Sequence, residues 1–226
     1  MPTPINQSIV HGLALLQTVL RHGRPCGSRQ LAREMDMAQA KVVRLTTTLC
    51  SLGLLRRTTA GKYRPGPGLH VLAGQALVGS GLVAAAMPAL KELHDAGWTV
   101  ALGVLWQEAV CYLVHARSEE ELVDKVGVHH LVPLDQSSLG LVLAAHSSDG
   151  RQRRSDAGIR RTGHARIDFP NGEVSLAVPI GDEPVAALGL SRLRPGKRQL
   201  ESVLLQLRSA AAAIGERLST DDLPNS

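Results

Sequence analysis

The first 66 residues carry three short helical patterns followed by two short strands, and this order constrains the fold more than any other feature of the chain. Apolar residues spaced four, three and four apart predict a first helix that ends at Gly23 and Pro25. Its predicted buried stripe is Ile9, Leu13, Leu16 and Leu20. Ser28 is expected to be the N-cap of a second helix, which carries Leu31, Ala32 and Met35 on one side.

The third helical pattern and the strands after it complete the arrangement. A turn at Asp36 and Met37 precedes this helix, and Gly53 is expected to end it. Its predicted inward stripe is Val42, Leu45, Leu49 and Leu52. Leu54 and Leu55 begin a strand, residues 58–61 form a turn, and residues 62–64 return as a second strand. Two helices, a turn, a third helix and a hairpin are the order of a winged helix-turn-helix domain.

The formal charge is divided unevenly between this segment and the rest of the chain. Residues 1–64 contain ten Lys or Arg against Glu34 and Asp36, a net charge of +8. The remaining residues contain 15 basic and 18 acidic side chains, a net charge of −3. This division predicts a polyanion-binding module joined to a different domain. Only 2% of the residues are aromatic, which disfavours a stacking platform for single-stranded nucleic acid.

The third helix is predicted to read the major groove of double-stranded DNA. A step of about 100° per residue turns the side opposite the apolar stripe outward. The outward residues are Gln39, Ala40, Val43, Arg44 and Thr47. Arg44 can pair with a guanine edge, Gln39 with adenine, and Val43 can contact a thymine methyl group. We expect phosphate contacts from Lys41, and from Ser28 and Arg29 at a helix N-terminus. The hairpin residues fit a wing that lies along the DNA backbone or in the minor groove; they are Arg56, Arg57, Lys62 and Arg64.

A single module of this kind reads only a few base pairs, so we expect a symmetric dimer on a palindromic site. The alternative is a small helical bundle whose charges are merely solvated, or which docks on another protein. The coincidence of the +8 charge with the predicted reading helix and hairpin favours DNA.

Beyond residue 68, helical and strand patterns are mixed, which predicts an α+β chain with a second domain. Helices are expected over residues 69–78, 82–96, 139–145 and 200–218, with Ser137 or Ser138 capping the third of these. Strands are expected over residues 98–105, 110–115, 174–180 and 185–190. The polar segment 146–161 is expected to be a loop with a short helix.

Residues 65–90 contain no formally charged side chain and can be interpreted as a membrane span or as an interdomain helix with a buried face. Their prolines, glycines and predominance of alanine favour the interdomain helix, and no membrane partner is expected. No secretory signal is visible, and three cysteines without a CxxC motif indicate reduced thiols. We therefore expect a cytoplasmic protein.

The order of several short motifs resembles the IclR family of bacterial transcription regulators. The first part contains Leu31-Ala-Arg-Glu-Met35, Val42-Val-Arg-Leu45 and Gly61-Lys-Tyr-Arg-Pro-Gly66. The second part contains Pro133-Leu-Asp-Gln-Ser-Ser-Leu-Gly140 and Val185-Ala-Ala-Leu-Gly-Leu-Ser191. The resemblance implies a winged helix-turn-helix domain over residues 1–66, a linker helix over 67–80, and a GAF-like or profilin-like effector-binding domain over 81–226.

The chain departs from the family pattern at three places. Ala38-Gln-Ala-Lys41 stands where the family often has a Pro-Lys-Ser-Thr-like start to the recognition helix, so the preferred DNA sequence does not carry over. Asp135 stands where a histidine or alanine usually follows the Pro-Leu-like pair. The segment between residues 146 and 163 is shorter than in the family by about two helices.

The resemblance also implies a pocket for a small effector, commonly a carboxylate metabolite. Helix N-terminal N–H groups and hydroxyls suit an anion. The implied effector residues are Ser137, Ser138, Leu139, Gly140, Asp168, Ser175, Gly189 and Ser191. Gly189 stands where a hydroxyl-bearing residue is frequent. Ordinary helix capping and strand-edge solvation are the alternative roles of these serines.

Neither a metal site nor an enzyme is favoured by the remaining residues. Cys111 and His115 are expected on one side of a strand and could form a zinc site with His129 and His130, but four ligands at recognised spacing are absent. No GxSxG, HExxH, GxxxxGK[ST] or dinucleotide-binding glycine motif occurs. We expect a regulator without cofactors that acts as a homodimer or homotetramer and responds to a metabolite. Repression is the favoured effect on transcription, and activation is the alternative. The alternative is a metabolite-binding or protein-docking winged-helix protein without sequence-specific DNA function.

Overall fold

The computed structural model describes residues 4–147, 156–181, 184 and 186–221. The chain divides into two compact units, Met1–Gly79 and Ser80–Ser226, each with its own hydrophobic core. Unit 1 combines helices with a small hairpin, and unit 2 combines helices with a six-stranded sheet. The predicted α+β class is therefore confirmed.

The described part of unit 1 has the predicted order of elements. These are α1 (Gln7–His22), α2 (Ser28–Glu34), α3 (Gln39–Ser51), β1 (Leu55–Arg57), β2 (Tyr63–Pro65) and α4 (Gly68–Gly79). The Asn6 side chain caps α1 by accepting hydrogen bonds from two backbone N–H groups, and Gly23 ends α1 with a φ of 61°. Gly27, and not Ser28, is the N-cap of α2. That prediction is wrong because a backbone bridge between Cys26 and Tyr63 brings the chain directly into the helix after Gly27.

The core of unit 1 lies between its first three helices and the hairpin. Its larger members are Leu15, Leu16, Val19, Leu31, Val42, Leu49, Leu55 and Tyr63. Of the stripe predicted on α1, only Leu16 is buried; Ile9 and Leu13 are 61% and 51% exposed, and Leu20 is also exposed. The prediction is wrong because α1 has a second apolar face, and that face packs on α3. Leu52 is 63% exposed because it follows the last turn of α3 as the C-cap.

The hairpin is fastened to the end of α3 by a turn. The Gly66 N–H donates to the Leu54 carbonyl at 2.8 Å, and the Gly68 N–H donates to the Gly53 carbonyl at 3.0 Å. A Cβ atom on Gly66 would lie 2.2 Å from the Gly53 carbonyl oxygen. This close approach of two backbone segments excludes any side chain at Gly66.

α4 exposes its apolar residues. It has no buried residue, and Val71, Leu72 and Val78 are 58%, 53% and 83% exposed. The predicted buried face is therefore wrong for this half of residues 65–90, because apolar residues surround α4 instead of forming a stripe. Among the described helices, none is by itself long and apolar enough to cross a membrane; α4 and the helix Leu82–Asp95 meet that criterion only when counted together.

Unit 2 is built around an antiparallel sheet. Its described elements are α5 (Leu82–Asp95), β3 (Thr99–Trp106), β4 (Ala109–Ala116), β5 (Val126–Pro133), α6 (Ser138–His146), α7 (Asp156–Thr162), β6 (Ala165–Asp168), β7 (Glu173–Ile180), β8 (Ala186–Leu193) and α8 (Lys197–Asp221). The strand order is β5-β4-β3-β8-β7-β6. β5 and β6, the two edge strands, were absent from the sequence prediction.

Helices cover the two faces of this sheet. α5 and α8 pack with one face, where Leu102, Leu188 and Leu207 belong to one core cluster. α6 packs on the other face, where Leu139 and Leu143 belong to a second cluster. This layered arrangement places the start of α6 over the middle strands of the sheet.

Candidate nucleic-acid interface and ligand pocket

The outward face of α3 is formed by the residues that the helical period predicts. Val42, Thr46 and Leu49 are buried against the rest of unit 1. The opposite residues Gln39, Ala40, Val43, Arg44 and Thr47 are all exposed. The apolar positions therefore fix which side of α3 is available to a DNA groove.

Two side chains on this face suit base edges. Val43 is 40% exposed, so an apolar group lies on a polar surface where it can meet a thymine methyl group. Arg44 is exposed and can present two parallel N–H donors to a guanine. The Thr47 hydroxyl donates to the Val43 carbonyl at 2.8 Å, which holds the threonine side chain against the helix.

Contacts within unit 1 position two of the predicted phosphate ligands. The Lys41 ammonium group lies 2.9 Å from Nδ1 of His11 on α1, and Lys41 is half-buried. The Gln39 amide nitrogen lies 3.5 Å from the Ser28 hydroxyl, which brings the starts of α2 and α3 together. Arg29 is exposed beside Ser28. These residues therefore lie at one end of the α3 face.

The hairpin places two arginines directly opposite each other. Arg56 of β1 pairs with Arg64 of β2 in the antiparallel register, and both side chains are exposed. Like charges at such a position destabilise a hairpin when no counter-charge is present. Arg57 pairs with Tyr63, and Lys62 precedes that tyrosine, while residues 55–65 contain no acidic side chain. The hairpin therefore forms a cationic surface that a polyanion would stabilise.

In unit 2, three hydroxyl side chains occupy neighbouring strands. Thr99 of β3 pairs with Ser191 of β8, and Ser191 pairs with Ser175 of β7. The Ser175 hydroxyl lies 2.8 Å from that of Ser138 in α6. The row of hydroxyls therefore lies on the α6 face of the sheet.

The first turn of α6 is fastened to the sheet instead of being open to a ligand. Ser137 is the N-cap, and its hydroxyl accepts from the Gly140 N–H at 3.3 Å and lies 2.7 Å from the Tyr112 hydroxyl. Ser137 and Ser138 are 3% and 2% exposed. Burial raises the pKa of Tyr112, and the hydrogen bond with Ser137 opposes this rise. Tyr112 therefore remains a neutral hydroxyl at neutral pH.

Leu139 fills a notch between two strands. A Cβ atom on Gly189 would lie 2.3 Å from one Leu139 methyl carbon, and a Cβ on Gly103 would lie 2.9 Å from the other. Leu139 itself is 2% exposed. Gly189 therefore provides space for a protein side chain, where the family resemblance implied an effector contact.

Asp168 faces away from the other predicted effector residues. It pairs with Val174, whereas its neighbour Ile167 pairs with Ser175, so alternation places Asp168 on the α8 face. Its carboxylate accepts two hydrogen bonds from Arg166, at 2.6 and 2.8 Å, and this interaction lowers the pKa of Asp168. The structure does not bring Asp168 together with Ser138, Ser175 and Ser191.

A pocket of about 650 Å³ opens beside the row of hydroxyls. Among its lining residues are Thr99, His115, Arg117, Glu173, Ser191 and Arg192. Ser191 is the one predicted effector residue that lines it. Sequence reasoning missed the others, although the alternation of Thr99 with buried residues along its strand could have indicated a shared face. The pocket combines hydroxyls, an imidazole and two guanidinium groups with two carboxylates, Glu119 and Glu173. Its guanidinium and hydroxyl groups can bind a carboxylate ligand.

The zinc site considered from the sequence does not form around Cys111 and His115. Cys111 pairs with Val104, whereas His115 pairs with Ala101 on the opposite face, because a β-bulge lies between them. The prediction that they share one side of the strand is therefore wrong. The side chains of His129 and His130 lie outside the described part of the chain, and the described residues contain no group of three His, Cys, Asp or Glu able to hold a metal.

The segment predicted to be shortened, between residues 146 and 163, is described only in part, because residues 148–155 lie outside the described residues.

Comparisons with known proteins agree with this geometry. Residues 8–59 match the IclR helix-turn-helix domain. The HTH-type transcriptional regulator BhcR of Paracoccus denitrificans is 27% identical over 188 residues, which cover 81% of this chain and 67% of BhcR. A crystal structure from Silicibacter sp. TM1040, described as an IclR transcriptional regulator, has a TM-score of 0.72 and 25% identity, covering 92% of this chain and 96% of that one. A crystal structure of an IclR homolog from Microbacterium hydrocarbonoxydans, complexed with 4-hydroxybenzoate, has a TM-score of 0.65 and 22% identity, covering 92% and 99%.

Proposed function

Since the chain belongs to the IclR family of transcriptional regulators and is not an enzyme, we propose that it is a repressor whose operator affinity is controlled by a small carboxylate. The hairpin carries the DNA-binding part of this proposal, because Arg56 and Arg64 face each other on a hairpin without acidic side chains, in the same unit as the exposed face of α3. Bacterial DNA lies in the cytoplasm, so the protein acts there.

The electrostatics of unit 1 favour duplex DNA over a protein partner. The cationic hairpin and the α3 face both belong to the segment with a net charge of +8. Each phosphate that a Lys or Arg neutralises releases counterions, and this release supplies sequence-independent affinity. Arg44, Gln39 and Val43 then supply base contacts that select the sequence.

An exposed apolar groove on unit 1 supports a dimer. The groove has a volume of about 370 Å³, and Ile9, Leu13, Leu52 and Leu54 are among its lining residues. Large exposed apolar side chains cost free energy unless another surface covers them. A second copy of this chain is the proposed occupant, because it offers an equally apolar surface and a second reading helix. A pair of units would then read two half-sites of a palindrome.

The pocket beside Thr99 and Ser191 is the proposed effector site. Arg117 supplies a positive charge for a carboxylate, and the Thr99 and Ser191 hydroxyls can accept or donate hydrogen bonds. Arg192 pairs with Val174 and lies over the Trp98 ring, so it reaches this pocket from the other face of the sheet. The homolog complexed with 4-hydroxybenzoate supports a small carboxylate as the ligand class. Because Leu139 closes the notch at Gly189, the ligand would lie at the polar end of the sheet.

Regulation requires that the effector prefer one arrangement of the DNA-reading units. The change in affinity for the operator can be no larger than the difference between the ligand's affinities for the two arrangements. We propose that α4 and α5 transmit this preference. A dimer bound across a promoter would block transcription, which is the simplest route to repression.

The DNA proposal is tested by selecting an operator from random duplexes and measuring its affinity by fluorescence anisotropy. We expect Arg44→Ala to cost about 1–3 kcal/mol and to relax the preference at one base pair. Lys62→Ala should weaken all sequences alike and reduce the salt slope by about one. Arg198→Ala, at an exposed residue of unit 2, is the control. Unchanged binding in both unit 1 variants would favour a metabolite-binding or protein-docking role instead.

The dimer proposal is tested by sedimentation of Leu13→Lys. A charge in the apolar groove should shift the population toward monomers and weaken operator binding. Leu20→Lys is the matched control, because Leu20 is an exposed leucine on the same helix outside the lining of the groove. Equal sedimentation of the two variants and the parent protein would refute the proposed interface.

The effector proposal is tested by calorimetric titration with a panel of small carboxylates that includes 4-hydroxybenzoate. Ser191→Ala and Thr99→Val remove hydrogen-bonding groups from the pocket, and each should weaken binding by about 0.5–3 kcal/mol. Arg198→Ala should bind like the parent protein. If neither pocket variant alters the affinity of a bound carboxylate, the effector lies elsewhere.

A further inference from the structure

Unit 2 contains a second, larger cavity whose wall is basic. It has a volume of about 800 Å³ and lies between the end of α7, the end of β7 and the second half of α8. Arg160 and Arg161 of α7 and Arg208 of α8 line it, together with one carboxylate, Glu216. The residues that line it are entirely different from those of the pocket beside Thr99.

The lining of this cavity is positively charged, although the part of the chain that contains it has a net negative charge. The chain after residue 64 has 18 acidic and 15 basic side chains, yet among the described residues that line the cavity there are three guanidinium groups and one carboxylate. Like charges gathered in one concavity repel each other, so their concentration there costs free energy when the cavity holds only water. A bound anion would reverse this cost.

Two of the arginines are held in place by backbone carbonyl groups. Nη1 of Arg160 donates to the Ala145 carbonyl at 2.9 Å, and Nη2 of Arg208 donates to the Thr162 carbonyl. A guanidinium group has five N–H donors, so each retains donors for a ligand. Arg161 is exposed and makes no ion pair or side-chain hydrogen bond with any described residue. The cavity therefore combines two anchored cations with one that is available.

The floor of the cavity favours a small ligand over a peptide strand. β6 pairs with β7 only up to Ala177, so the next residues of β7 are uncovered on that side. Pro179 lies in this uncovered stretch and has no N–H to donate to an added strand. Gly163, Gly181 and Gly215 line the same space and contribute no side chain to it.

We propose that this cavity is a second ligand site, which binds a small oxyanion carrying two or more negative charges. Guanidinium groups bind phosphate and carboxylate oxygens through paired N–H donors, and several charges on one ligand match several arginines. Phosphoryl compounds and polycarboxylates share this chemistry. The site is independent of the effector pocket, and its occupancy would not require Thr99 or Ser191.

The test is calorimetric titration of the full-length protein with pyrophosphate and, separately, with citrate at low salt. We expect one of the two to bind, and the stronger ligand identifies the class. Arg161→Ala should weaken that binding at least tenfold, which equals about 1.4 kcal/mol. Because Arg161 is exposed, this variant should fold normally. Ala212→Leu, which adds bulk to the cavity wall without changing charge, should also weaken binding.

Arg198→Ala and Ser191→Ala are the controls. Arg198 is an exposed arginine of α8 outside the lining of the cavity, and Ser191 belongs to the effector pocket. Both controls should retain the affinity of the parent protein. The proposal is overturned if neither anion binds at concentrations up to about 10 mM, or if Arg198→Ala weakens binding as much as Arg161→Ala does. Loss of binding in Ser191→Ala alone would place the anion in the effector pocket.

Discussion

Replacing Gly140 with alanine should destabilise unit 2 despite alanine's better helix propensity. A Cβ at this position would lie 2.2 Å from the carbonyl oxygen of Leu134 and 2.7 Å from its Cα. Both are backbone atoms, so no side-chain rotation can relieve the overlap, and α6 must move away from the turn at residues 134–136. That movement would stretch the hydrogen bonds that fasten Ser137 to Tyr112 and Ser138 to Ser175.

The opposing contributions allow the size of the effect to be estimated. Overpacking costs about 1–3 kcal/mol, and two weakened hydrogen bonds cost about 0.5–1.5 kcal/mol each. The gain in helix propensity from glycine to alanine is about 1 kcal/mol. The expected loss in free energy of unfolding is therefore about 1–5 kcal/mol, which corresponds to a fall in Tm of roughly 2–20 °C for a domain of this size.

Urea and thermal unfolding followed by circular dichroism can measure this loss. The two units are expected to unfold in separable transitions, and the transition of unit 2 should move. Gly158→Ala is the matched control, because no described atom lies within 4 Å of the added Cβ in α7. The control should be neutral or stabilised by up to about 1 kcal/mol. If Gly140→Ala is as stable as Gly158→Ala, the close contact with Leu134 does not exist in solution.

Three further predictions concern the same region. In a Tyr63→Phe background, absorbance titration should show that Tyr112 ionises above its ordinary pKa of about 10. The free energy of unfolding should fall as the pH rises past that value, because the folded state keeps the Tyr112 proton to a higher pH than the unfolded state does. A titration midpoint at the ordinary pKa would contradict the burial of Tyr112. A double-mutant cycle of Ser138→Ala and Ser175→Ala, measured by urea unfolding, should give a coupling of about 0.5–1.5 kcal/mol, and zero coupling would argue against their hydrogen bond. Leu139→Ala should cost about 2–5 kcal/mol in the same assay, and a smaller loss would mean that the notch collapses.

The outward face of α3 was predictable because the helical period alone determines it. α3 carries a single apolar stripe, so its outward face follows from the helical period. α1 has two apolar faces, and composition does not distinguish the face that packs on α3 from the face left for a partner. The stripe containing Ile9 and Leu13 is the more regular of the two in sequence, yet it is the exposed one. Local periodicity identified an amphipathic helix but could not assign its partner.

The strands of unit 2 were predictable only where their pattern was long. β6 has four residues, of which Arg166 and Asp168 are exposed, so its alternation is too short to stand out. The bulge in β4 places Cys111 and His115 on opposite faces of the sheet, and no residue type in that strand predicts a bulge. Sheet register, which depends on distant pairing, therefore limited the prediction more than strand propensity did.

The candidate pocket shows the same limit. The motif at residues 137–140 correctly indicated a helix start, and Ser137 is its cap. Nothing in the local sequence indicated that Ser138 would pair with Ser175, or that Leu139 would be buried between two glycines. Thr99 belongs to β3, His115 and Arg117 lie at the end of β4, and Ser191 belongs to β8. Only the register of these three strands brings the four residues to one pocket.

The notch formed by Gly103 and Gly189 makes three positions interdependent in evolution and in engineering. The Leu139 side chain occupies the space beside both glycines, so a larger residue at Gly189 is tolerated only if position 139 becomes smaller. At Gly103 a larger residue would also require a change at Val110, because a Cβ there would lie 2.6 Å from a Val110 methyl carbon. Leu139→Ala combined with Gly189→Ser would exchange an apolar contact for a hydroxyl next to the existing row. Such a compensated pair offers a route to changing what unit 2 recognises without enlarging its core.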